Sequence, residues 1–192
     1  MLERILKEDL RLFFHINGQW HNAFLDVILP FVREPYVWAP LYLFLGLFVI
    51  INYRWKGLFW IMFFLLCFGL ADQSSLYIKE ALGRLRPCRD PLVSHYARVL
   101  VVHCPMSGSF TSNHAANHFA LATFCFLTLK SAFGRYTWLF FAWAAIIAYA
   151  QVYVGVHYPL DVTGGALLGL FIGLLSGSFF QRRIRLESEF AS

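Results

Sequence analysis

Three polar clusters interrupt a largely apolar chain, and each carries residues suited to an anion. In residues 79–87, KEALGRLRP, Lys79 and Arg86 stand seven apart, two helical turns, so on a continuous helix they share a face. Pro87 disfavours helical geometry at Arg86 and marks the end of that helix. Arginine can grip two phosphate oxygens with its fork, and lysine adds a point charge. In residues 107–120, SGSFTSNHAANHFA, the residues Ser109, Thr111, Ser112 and Asn113 are all good helix N-caps. A helix beginning there points free backbone N–H groups and the positive end of its dipole at an anion. His114 lies in its first turn, and His118 follows on the same face. In residues 150–165, AQVYVGVHYPLDVTGG, Pro159 suits a first helical turn and leaves Asp161 near that helix's positive end. A carboxylate there can hold one ring nitrogen of His157, fixing the tautomer and freeing the other nitrogen to attack or to take a proton.

Each cluster also has a plainer reading: snorkelling cations at a helix end, an interfacial His114, a structural His118, a capping Asp161. Metal chemistry is the main competitor, because His114, His118, His157 and Asp161 could ligate zinc or iron. Only one such histidine pair exists, however, and the neighbouring basic residues suit an anion better than a cation. The expectation is therefore a phosphate site with no metal and no cofactor.

The elements that must carry these clusters are membrane helices. Of 192 residues, 59% are hydrophobic and 14% charged; a soluble domain carries about 25% charged. No linker or repeat divides the chain, so one domain is expected over 1–192. Residues 2–16 set Leu2, Ile5, Leu6, Leu10, Phe13 and Phe14 at helical spacing against a charged face, as an interfacial helix does. Residues 22–32 are too short to span and read as a second interfacial helix, the pair forming an N-terminal segment 1–33. Five spans follow at 36–52, 57–78, 113–129, 137–156 and 160–180, a transmembrane core of 36–180, with a cytoplasmic tail 181–192. The loop 53–56, the loop 130–136 and the tail are basic, which places all three in the cytoplasm. The loop 83–112 and the turn at His157 then lie outside, where Lys79, Arg84, Arg86, Arg89 and Arg98 break the charge rule and are expected to serve an anionic ligand. Gly165, Gly169, Gly173 and Gly177 form a smooth ridge for close helix packing, within the chain or in a homo-oligomer. Asp72 is expected to be buried and paired rather than catalytic, and Cys67 and Cys125 to be packing residues.

Taken together, Lys79–x6–Arg86–Pro87, Ser112–x–His114 and Gln151–x5–His157–x3–Asp161 resemble the three-part signature of the type 2 phosphatidic acid phosphatase family. That family shares its site with bacterial acid phosphatases and vanadium haloperoxidases. The resemblance runs from about Asp72 to Gly165. It implies an all-α integral membrane protein with an acid phosphatase/haloperoxidase-like core. It further implies that His157 takes the phosphoryl group as a phosphohistidine, that Asp161 orients it, and that His114 protonates the leaving oxygen and then activates water. Lys79, Arg86, Ser112 and the backbone N–H of Asn113 would hold the phosphate oxygens. Two residues depart from the pattern. Asn113 stands where the family has glycine, so its side chain is expected to crowd the phosphate. Gln151 stands where the family has arginine, so a neutral donor replaces a cation.

The expected substrate is a membrane lipid carrying phosphate or diphosphate, with undecaprenyl diphosphate foremost; nucleic acid is not expected as a partner. The expected setting is a bacterial-type inner membrane with the site facing the periplasm. Cys88 and Cys104 bracket the outer loop and can form a disulfide in that compartment. A non-catalytic binder of anionic lipid and a lipid phosphotransferase are the alternatives.

Overall fold

The computed structural model describes residues 1–186, so half of the expected tail 181–192 lies outside the described residues. Six α-helices carry the described residues: α1 (Leu2–Phe14), α2 (Ala23–Val32), α3 (Ala39–Leu82), α4 (Asn113–Phe133), α5 (Trp138–Tyr153) and α6 (Pro159–Arg183). α3 is two antiparallel arms. Arg54 leaves the helical region, at φ 47° and ψ −119°, and the chain folds back on itself there. A Cβ on Gly57 would lie 2.2 Å from the carbonyl oxygen of Val49, a contact only glycine allows. Further along the hairpin, Tyr42 and Phe64 pair their rings at 6.2 Å. The expected spans 36–52 and 57–78 are these two arms, so the bundle has five long helical passes.

α4 is the centre of that bundle. Its residues Ala115 to His118 and Ala120 to Cys125 are buried, because α3, α5 and α6 surround it. The glycine ridge of α6 faces α4: a Cβ on Gly169 would stand 2.2 Å from the Ala116 carbonyl oxygen, and one on Gly173 2.5 Å from that of Ala120. The chain thus fills its own ridge, and an oligomer through Gly165, Gly169, Gly173 and Gly177 would have to displace α4. Cys67 and Cys125 are buried in the core with Trp60, Phe124 and Phe180. Outward, Leu43, Leu47, Ile51, Leu65, Leu167 and Phe171 are exposed, an apolar surface that suits hydrocarbon rather than water. The fourth span ends at Tyr153, three residues short of the expected limit, because the chain turns at Gly155 (φ 84°). This turn releases His157 from helical geometry.

Both N-terminal helices pack at the end of the bundle that holds His157. Asp9 and Phe13 are the buried residues of α1, and Phe13 packs edge-on to Tyr158 at 5.4 Å. A π-helical turn, His15–Gln19, follows α1. Its buried Asn17 donates to the carbonyls of Arg98 (2.7 Å) and Tyr153 (2.8 Å). The loop 83–112 is pinned at this same end by a Cys88–Cys104 disulfide and by an Arg98–Asp26 ion pair at 2.6 Å. Of the five basic residues expected to serve a ligand, three have structural partners. Arg98 holds the loop to α2, Arg89 donates to the Met106 carbonyl, and Arg84 joins two carboxylates.

Candidate active site

Four segments bring the functional groups together. The last turn of α3 carries Lys79. Gly83, at φ 58°, caps that helix in the left-handed region and releases the chain, and Arg86 follows in the loop. Ser112 caps α4, accepting from the Ala115 N–H at 3.5 Å. The N–H of Ser112 itself donates to the Asp161 carbonyl, and the Asn113 and His114 N–H groups at the helix N-terminus have no acceptor among the described residues. The fourth segment is the turn from α5 into α6, with His157 and Asp161.

His157 is 2% exposed. Its Nδ1 lies 3.5 Å from Asp161 Oδ2 and 3.4 Å from Ser109 Oγ. Asp161 Oδ2 also accepts from Ser109 Oγ (2.5 Å) and the Tyr158 N–H (2.7 Å), while Oδ1 accepts from Arg84 Nη1 (2.7 Å). These donors fix the carboxylate in place. It directs the His157 N–H to Nδ1 and leaves the Nε2 lone pair free. Arg86 Nη1 donates to Nε2 at 2.8 Å, and the rest of that guanidinium is held by the Ser107 carbonyl (2.9 Å), Ser107 Oγ (3.1 Å) and the Val156 carbonyl (3.1 Å). Burial first, with the neighbouring Arg86 also acting against the charged form, pushes the His157 imidazole down to about 4. Arg86 is likewise lowered by burial, to about 10, and keeps its charge at neutral pH. A neutral imidazole with an arginine over its lone pair is a geometry suited to attack on a phosphate drawn to that arginine.

Asn113 does not crowd this site as its side chain suggested. Its Oδ1 accepts from Lys79 Nζ and from Ser75 Oγ (2.9 Å), and its Nδ2 donates to Asp72 Oδ1 at 2.7 Å. The amide has turned aside to position Lys79, and Asp72, which also accepts from Asn117 at 2.9 Å, is paired as expected. His114 and His118 stack with parallel rings 6.3 Å apart. His118 Nδ1 donates to the His114 carbonyl at 2.7 Å, which fits the structural role. Among the described residues no three metal-ligating side chains converge. Gln151 is fully buried below the turn, and its carbonyl accepts the N–H groups of Val156 and His157, both at 3.2 Å.

Two cavities flank the site. An apolar groove of about 480 Å³ runs between α3 and α4, lined by Tyr42, Phe64, Phe68, His118 and Leu121, with His114 and Asn113 at its head. A polar pocket of about 280 Å³ is lined by Lys79, Arg84, Arg86 and Arg89. The Lys79–Asn113 pair is the wall between them. His114 thus faces the oily side and the cations face the other.

Sequence reasoning missed three groups. Asp9 Oδ2 pairs with Arg84 Nη2 at 2.5 Å, and its Oδ1 accepts from the Leu160 N–H at 2.8 Å. The available signal was an acid lying between Ile5 and Phe13 on the apolar stripe of α1. Ser109, read only as a candidate cap, is a ligand of Asp161. Arg33, on the residue after α2, reaches Gln151, and nothing in the local pattern pointed to it.

A helical membrane bundle with an arginine-capped imidazole between a basic pocket and an oily groove defines a class, that of membrane-embedded phosphatases. The PAP2 superfamily model matches residues 59–185, and the chain belongs to that superfamily. The chain is 31% identical to the lipid A 4'-phosphatase of Bacteroides thetaiotaomicron, over 91% of this chain and 78% of that one. It is 30% identical to the undecaprenyl-diphosphatase of Sulfolobus acidocaldarius, over 81% of this chain and 68% of that one. Among solved structures, Aquifex aeolicus LpxE superposes with a TM-score of 0.66 at 28% identity, covering 87% of this chain and 93% of that one. The chain is thus a hydrolase acting on phosphoric esters, built as a transmembrane bundle.

Proposed function

We propose that the protein removes phosphate from the headgroup of a membrane lipid at the outer face of a bacterial inner membrane, through a phosphohistidine at His157. The observation that carries this reading is the 2.8 Å contact between Arg86 Nη1 and His157 Nε2, set between an oily groove and a basic pocket. In the first step Nε2 attacks phosphorus while Arg86 transfers its N–H from the ring to a phosphate oxygen. Lys79, the Ser112 hydroxyl and the free N–H of Asn113 hold the other oxygens and the charge that builds on them. His114 gives its proton to the departing lipid oxygen on the groove side, then takes one from water, which cleaves the P–N bond and frees phosphate towards the basic pocket. Asp161 stabilises the imidazolium throughout.

A lipid tail in the groove between α3 and α4 brings its headgroup to His114, which supports a lipid rather than a soluble ester. The more extensive likeness is to a lipid A 4'-phosphatase, so a phosphorylated saccharolipid is the first substrate proposed. Undecaprenyl diphosphate is the second, favoured by the archaeal relative. Phosphate release from each lipid by detergent-solubilised protein tests both, with His157→Ala as the control. Release by the native protein alone is the expected result; equal release by both proteins sinks the assignment of His157, and none by either favours a binding protein. Transfer of the phosphoryl group to an added acceptor lipid would instead mark a phosphotransferase.

A further inference from the structure

We propose that Arg33, together with Gln151, forms an additional phosphate-oxygen clamp in this site, with Arg33 supplying the charge from outside the three polar clusters. The inference rests on the phosphatase reading above and adds a residue to it. Gln151 has no exposed surface, its Oε1 accepts from Arg33 Nε at 3.4 Å, and its Nε2 has no partner. A buried amide N–H without an acceptor is rare in a folded protein and calls for one that arrives with a ligand. Arg33 offers the matching feature. Its side chain is 12% exposed and its Nη1 is held by Glu34 at 2.9 Å, while its Nη2 makes no hydrogen bond among the described residues. The two free donors therefore belong to residues already in contact.

Their place points to phosphate. Gln151 is the residue whose carbonyl shapes the turn carrying His157. Arg33 reaches that residue through its Nε at 3.4 Å, which ties its guanidinium to the turn that carries His157. Pro35, two residues on, borders the same groove as His114. Glu34 and Gln151 together hold the guanidinium from two sides, which leaves the Nη2 edge preorganised for an oxyanion.

The test uses the full chain in detergent micelles, the lipid phosphate it hydrolyses best, and orthovanadate as a phosphate mimic. Arg33→Gln should lower kcat/KM about a hundredfold, as loss of one charged transition-state donor does, and weaken vanadate inhibition about tenfold or more. Arg33→Lys should fall between the two. Adding Gln151→Arg to Arg33→Gln puts a guanidinium back beside the same turn and should recover most of the loss. Native activity and native vanadate inhibition in Arg33→Gln overturn the proposal. So does a loss that Gln151→Arg fails to restore when Arg33→Gln also has a lowered Tm, since that marks a purely structural arginine. If the native protein hydrolyses none of the lipids, the functional reading fails, and the Arg33 proposal is still decided by the vanadate-induced rise in Tm: a smaller rise in Arg33→Gln supports it, an equal rise refutes it.

Discussion

At the scale of single residues, the proposed chemistry depends on keeping one imidazole neutral and aimed. Burial holds His157 near 4, below its ordinary 6.5, so protonation of Nε2 sets in only as the pH falls towards that lower value. The acid limb of kcat/KM should then lie clearly below pH 6.5, because the free enzyme keeps its lone pair there. A pH profile whose acid limb sits at or above the ordinary histidine value would contradict a buried neutral nucleophile. Aim is set by Asp161, and Ser109 is one of its holders through the 2.5 Å contact to Oδ2. Ser109→Ala removes a hydrogen bond to a charged group, which predicts a fall in kcat of roughly tenfold with KM little changed. A matching rise in KM would instead show that Ser109 touches the substrate.

At the scale of elements, the site is only as rigid as the helices that meet at it. α1 is more than an interfacial float, because Asp9 ties it to Arg84 and to the N-terminus of α6. Asp9→Ala leaves Arg84, whose side chain is 24% exposed, with Asp161 alone and leaves the Leu160 N–H unpaired. The expected cost is about 2 kcal/mol, below that of a fully buried pair because Arg84 reaches solvent; it should appear as a lower Tm together with a reduced kcat, as the freed arginine pulls on Asp161. Undisturbed Tm and kcat would show that α1 docks through Phe13 and its neighbours alone. The α4–α6 contact is tighter still. Gly169→Ala drives a methyl into the Ala116 backbone, which neither helix can yield cheaply, and should destabilise the protein by about 1–3 kcal/mol in detergent unfolding. What the chain disclosed about these elements followed distance along it. Lys79 with Arg86, Ser112 with His114, and His157 with Asp161 are short-range patterns set by helical period and capping, so they could be read directly. Asp9 meets Leu160 across 151 residues and Arg33 meets Gln151 across 118, and no local period encodes such encounters. The Asn113 side chain was misjudged for a related reason: its turn towards Lys79 and Asp72 depends on how α3 crosses α4.

At the scale of the whole molecule, every group proposed for chemistry lies at one end of the bundle, and the basic turns lie at the other. The hairpin at Arg54, the α4–α5 connection with Lys130 and Arg135, and Arg182 and Arg183 at the end of α6 are far along their helices from His157. Lysine and arginine in short loops favour the cytoplasm, whereas the loop joining Leu82 to Asn113 is closed by a Cys88–Cys104 disulfide, a bond that persists in oxidising compartments. Two independent physical preferences thus support the proposed orientation. It can be read with thiol chemistry, since the two remaining cysteines, Cys67 and Cys125, are buried and shielded from a water-borne reagent. In a Cys88→Ser variant, Cys104 should react with a membrane-impermeant maleimide added to intact spheroplasts. In a Cys88→Ser/Cys104→Ser background, a thiol introduced as Arg135→Cys should react only after the membrane is opened. The reverse pattern would put the arginine-capped histidine in the cytoplasm and remove outer-leaflet lipids from its reach. Labelling of both thiols in sealed cells would mean that the chain inserts in two orientations.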